Sequence, residues 1–139
     1  MASGDEQSRS PAVDVIDETL VVASASRVRD LVCDEARWEA ILPGLRLSCI
    51  EDRGALGKRW SVSGSLEGSA EVWLEPWADA VVVHVFLQAD AGDTTPSARA
   101  SRRLRRRYAL KVKRYVLRIK ATLEEGRAPG TPRVDSRRH

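Results

Sequence analysis

Over residues 13–22, β-branched side chains alternate loosely with Asp14, Asp17, Glu18 and Thr19, which predicts an opening strand with one wet face. Ser24 then offers a helix N-cap, and Val28, Leu31 and Val32 recur at i, i+3 and i+4, the spacing of a short amphipathic helix. Asp34 can cap a second short helix carrying Trp38, Ile41 and Leu42, which Pro43-Gly44 stops. Four alternating runs follow, at 45–52, 58–64, 69–77 and 80–89, separated by short segments that hold Gly54, Gly57, Gly68 and Asp79. Gaps this short favour antiparallel hairpins. The segment after Asp90 reads as the start of a long helix, with Thr95 as cap and Pro96 at the first helical position, where a missing N–H removes no bond. Projected to about Glu125, before Gly126, that helix gathers Leu104, Tyr108, Val112, Tyr115, Val116, Ile119 and Leu123 on one face, which must pack on the sheet.

These elements make an α+β domain over residues 12–125: an antiparallel sheet of about five strands, two short helices after strand one and a long closing helix. Residues 1–11 and 126–139 are polar, and rich in Ser, Gly, Pro and charge, and read as disordered tails, the second of them basic. At 139 residues one core is large enough to stand without disulfides, and Cys33 and Cys49 form no CxxC or Cys/His spacing, so both read as reduced thiols in apolar surroundings. No window is apolar enough to span a bilayer and the first ten residues are not a basic leader, which gives the cytoplasm as the expected location.

Charge changes the picture more than composition does. The net charge is +3, yet residues 1–98 carry 8 basic and 17 acidic side chains, while residues 99–120 carry 11 basic and none acidic. Arg102, Arg103, Arg106, Arg107, Lys113 and Arg114 on the long helix could therefore meet phosphates, so nucleic acid or an anionic membrane is an alternative partner. The plainer reading is a solvated outer face balanced by the acidic remainder of the domain. Tyr108 and Tyr115 fall on the core stripe and not among the arginines, so stacking on bases has little support.

The order of strand, two short helices, meander and long helix resembles the helix-grip fold of the START-like proteins, the polyketide cyclase/dehydrase and lipid transport superfamily. The run 22–34 (VASASRVRDLVCD) resembles that family's passage from strand one into helix one. Arg37-Trp38 with Leu42-Pro43-Gly44-Leu45-Arg46 resembles its second helix and exit, and Ala70-Glu71-Val72-Trp73-Leu74-Glu75-Pro76 a late meander strand. The family usually has six strands between the second and last helices, and four are legible here, so a shortened sheet is expected. The resemblance implies a hydrophobic ligand, such as a lipid, fatty acyl or polyketide-like molecule, held between sheet and last helix by a carrier or sensor. A cyclase or aromatase in the same pocket is its enzymatic variant.

Candidate wall residues are Trp38, Leu42, Leu47, Trp60, Val62, Val72, Leu74, Tyr108, Val112 and Tyr115, with His84 as a possible polar group among them; the same side chains would equally fill a solid core. Parity places Trp73 and Trp77 opposite Val72 and Leu74, on the outer face with Glu71 and Glu75, where a dimer or partner contact would use them. In the last strand Val81, Val83, Val85 and Leu87 make one face and Val82, His84 and Phe86 the other, and either could point inward. Leu110 and Leu117 fall on the charged side of the long helix, where a homodimer contact would explain them. No glycine-rich phosphate loop, GxSxG or HExxH is present, so no catalytic set, metal or cofactor is expected.

Overall fold

The structure, a computed structural model, describes residues 11–92 and 96–125. Its elements run β1 (Val13–Val21), α1 (Ala25–Val32), α2 (Glu35–Ile41), β2 (Leu45–Asp52), β3 (Gly57–Gly64), β4 (Glu67–Trp77), β5 (Ala80–Asp90) and α3 (Ala98–Leu123), with a single 3-10 turn at Gly54–Leu56. The expected caps of the short helices are in place. The Ser24 hydroxyl accepts from Arg27 N, and the Asp34 carboxylate accepts from Ala36 N and Arg37 N.

The long helix starts later than the sequence predicts. Ser97, not Thr95, is its cap, accepting from Ala100 N at 3.1 Å, and Pro96 precedes the cap instead of opening the helix. Serine is the better cap of the two residue types, and its hydroxyl satisfies an amide that a start at Pro96 would leave to water. Thr95, Gly126 and the expected tails, apart from Pro11, lie outside the described residues.

The five strands form one antiparallel sheet in the order β1-β5-β4-β3-β2, leaving β1 and β2 at its edges. The β3–β4–β5 hairpins are local, whereas β1 pairs with β5 across most of the sequence, from Val13 opposite Ala89 to Val21 opposite Val81. Gly57, with φ +123°, lets β3 cross so close to β4 that a Cβ there would collide with the Val72 carbonyl oxygen. A bulge in β2 between Cys49 and Glu51 leaves Ile50 unpaired and exposed.

Pairing with β1 settles which face of β5 is inner. Val81, Val83, Val85, Leu87 and Ala89 are buried beside Val13, Val15 and Val21, under the helices; Val82, His84 and Phe86 point to the other face. α3 supplies Tyr108, Val112, Tyr115, Val116, Ile119 and Leu123 to this core, with Leu104 only half-buried. Its backbone runs closest to β1 and α1, and side chains fill the space between it and β2–β4.

Two polar residues sit in the β1–α3 seam. Asp17 is 8% exposed and meets Lys113 Nζ at 3.1 Å, while Thr19 donates to Asp17 at 3.0 Å and accepts from the same ammonium at 2.9 Å. A closed hydrogen-bonded set of this kind offsets the desolvation of its members and fixes the register of the helix on the strand. Cys33 is buried, and desolvation pushes its thiol up to about 11; Cys49, expected in apolar surroundings, is instead exposed on edge strand β2. No described helix is long and apolar enough to cross a membrane.

Candidate functional site: the cleft between sheet and long helix

Six of the expected wall residues converge. Trp38 and Leu42 from α2 and its exit, Leu47 from β2, Trp60 from β3, Val72 from β4 and Val112 from α3 line one small apolar cavity of about 20 Å³. Val62, Leu74, Tyr108 and Tyr115 are buried in the same core without lining that space. Ala70, Glu71, Val85, Phe86 and Leu87 line it too and were not foreseen. Ala70 shares the parity of Val72 and Leu74 and could have been found from that alternation, whereas Val85 and Leu87 needed the strand pairing.

The polar atoms of the two wall tryptophans and of the neighbouring Tyr115 are all engaged by protein partners. Trp38 Nε1 donates to the Val32 carbonyl at 2.6 Å, Tyr115 donates to the Leu31 carbonyl at 2.8 Å, and Trp60 Nε1 donates to Glu35 at 2.8 Å. Burial raises the Tyr115 pKa above its ordinary value, so the phenol stays a neutral donor. Burial also raises that of Glu35, but hydrogen bonds from Lys58 at 2.6 Å and from Trp60 more than offset it and hold this carboxyl below its usual range. The ring of Trp38 meets Tyr115 edge-on with centroids 4.6 Å apart, which locks the α2–α3 corner.

His84, expected among the wall residues, is on the opposite face of the sheet. There it is 6% exposed, stacked on Trp73 at 4.3 Å, with Nδ1 3.0 Å from Glu18 and Nε2 2.9 Å from Glu75. The parity of β5 carries it there, since Val83 and Val85 take the inner positions. Trp73 and Trp77 lie on that outer face as the alternation predicts, and Trp77 is 63% exposed. Among the described residues no cluster of His, Cys, Asp and Glu has the geometry of a metal site.

The basic residues of α3 divide. Lys113 is committed to Asp17, Thr19 and the Glu18 carbonyl, so it belongs to the β1 seam and not to a free anionic-partner surface. Arg102, Arg103 and Arg106 line an open groove of about 610 Å³ together with Arg99, Arg105 and Ala109 of the helix and Asp14, Val15 and Ile16 of β1. Arg107 lies over the Tyr108 ring, 6.0 Å from its centroid, and Arg114 lines a separate groove beside Ile41 and Pro43.

Several solved structures superpose on this fold. Deinococcus radiodurans protein DR_A0006 superposes with a TM-score of 0.59 at 15% identity, over 82% of this chain and 99% of its own. The Aha1 dimer from Colwellia psychrerythraea gives 0.57 at 12%, over 84% and 99%. The chain has the START-like helix-grip fold. The di-domain ARO/CYC protein StfQ of the steffimycin biosynthetic pathway matches at 0.52 and 16% identity, over 86% of this chain and 53% of StfQ. Identities this low establish the shared fold and nothing finer. No protein-family model matches the sequence, and no curated protein matches it.

Proposed function

We propose that this START-like domain holds a hydrophobic small molecule, a lipid, fatty acyl or polyketide-like group, between its sheet and α3, as a carrier or sensor. The observation that carries this reading is the convergence of apolar side chains from α2, β2, β3, β4, β5 and α3 on one apolar cleft, where side chains and not close backbone contact lie between α3 and β2–β4. Pockets for such guests usually measure about 300–1,000 Å³, far above the 20 Å³ of the closed cleft. The guest must therefore displace side chains and lift α3 from β2–β4 while the helix stays seated on β1. Burial of its apolar surface, at about 25 cal/mol per Å², supplies the affinity, reduced by the fraction of molecules that are open. No comparable observation favours the cyclase variant: Glu71, the acidic residue that lines the cavity, is paired with Arg53, and Glu35, which bonds the wall residue Trp60, is engaged by Lys58.

Native mass spectrometry of protein purified from its own host, followed by titration with fatty acids and polycyclic aromatics under tryptophan emission, tests the proposal. One stoichiometric hydrophobic adduct, and a change in emission that persists at high salt, is the expected result. Bare protein whose emission no probe alters would show a permanently filled core and end this reading.

A further inference from the structure

Outside the cleft, the edge of β1, unpaired among the described residues, runs beneath the arginine-rich half of α3. Successive residues of an edge strand turn their N–H and C=O groups alternately toward the paired neighbour and toward the open side. Lys113 Nζ donates to the Glu18 carbonyl, Lys120 Nζ donates to the Leu20 carbonyl at 2.6 Å, and Val22 N donates to Glu124 at 2.7 Å, so the even-numbered residues face the open side. Side chains from α3 thus clasp the edge from Glu18 onward. At the other end Ala12 N turns back to the paired strand and bonds Asp90 of β5 at 2.9 Å. Ahead of the α3 clasp, Asp14 and Ile16 present backbone donors and acceptors to the floor of the 610 Å³ groove.

The wall above that stretch is charged at an electrostatic disadvantage. Arg99, Arg102, Arg103, Arg105 and Arg106 line it, none makes an ion pair within the described residues, and several stand three or four residues apart, where like charges repel. No acidic residue occupies the first turn of α3, so these cations also oppose the helix dipole. An anionic guest relieves both penalties. Below the edge, on the outer face, Ile16 is 64% exposed beside the half-buried Phe86 that it pairs with.

We infer that this groove takes a short extended peptide segment with acidic side chains at alternate positions, which adds to β1 as a sixth strand. Its backbone pairs with Asp14 and Ile16, its acidic side chains rise toward the arginines, and the intervening apolar ones lie over Ile16. A strand edge unpaired among the described residues favours a peptide over a nucleic acid, which has no matching backbone, and no aromatic ring is among the described residues that line the groove.

The test is fluorescence anisotropy with a capped, labelled hexapeptide alternating glutamate and isoleucine, measured on the full chain at physiological salt. Binding should weaken about tenfold or more when the peptide's backbone amides are N-methylated, since that removes hydrogen bonds without altering charge. The double variant Arg102→Glu, Arg106→Glu should weaken it similarly, as should Ile16→Pro, an exchange that an open strand edge tolerates. Equal binding of the N-methylated peptide would reduce the groove to a charge patch and overturn the inference. So would an oligothymidylate of equal net charge that binds as tightly, or a dimer that Ile16→Pro dissociates, since a second copy would then own the edge. The methylated peptide acts on unaltered protein, so the result does not depend on the variants folding.

Discussion

The two halves of α3 are built on opposite terms. Over residues 111–123 the helix buries Val112, Tyr115, Val116, Ile119 and Leu123, and sends Lys113, Tyr115 and Lys120 to acceptors on β1 and α1. Over residues 98–110 it buries only Tyr108, half-buries Leu104, and carries six arginines with no ion pair within the described residues. One half is held by packing and satisfied polar contacts. The other is tolerated by a fold whose stability comes from elsewhere. Charge that lowers the stability of its own helix is better explained by a partner than by the fold, which is why the groove beside it is the place to look for one.

Substitutions can sharpen that contrast. The largest effect is expected in the packed half, where Val116→Asp buries a carboxylate with no partner and should cost about 3 kcal/mol or more, or prevent folding, as read by chemical denaturation. Lys113→Met comes next: it keeps the apolar stem but leaves Asp17 buried without its cation, and should lower stability by about 1–3 kcal/mol. A change below 0.5 kcal/mol there would mean that water serves Asp17 as well as lysine does. The smallest effect belongs to the other half, where Arg103→Ala should shift stability by no more than about 0.5 kcal/mol, and upward if repulsion along the helix dominates. A loss of 2 kcal/mol at Arg103 would erase the distinction between the halves.

Much of this architecture was legible in the residue pattern, because helical and strand periods are strong wherever one face is dry and the other wet. The stripe from Tyr108 to Leu123 and the outward turn of Trp73 and Trp77 follow from such alternation. β5 resisted the same reading since both of its faces are apolar, and only its pairing with β1 shows that Val83 and Val85 are inner and His84 outer. Lys113 looked like one more surface cation because its partners, Asp17 and Thr19, lie almost a hundred residues earlier in the chain. The side chains around the cleft could be named in advance, but its volume could not, since 20 Å³ is the residue left after large groups from six elements have packed.

The clasp of α3 on β1 also bears on how the chain reaches this state. Strand β1 precedes the other strands in the chain, yet among the described residues its only neighbour in the sheet is β5, and the bond between Val22 and Glu124 joins positions 102 residues apart. The opening strand must therefore wait for β5 before it can pair, and for the end of α3 before its clasp can close. Such non-local closure slows folding, and here it cannot finish before Glu124 has been made, whereas the β2–β5 meander pairs only neighbours in sequence and can assemble earlier.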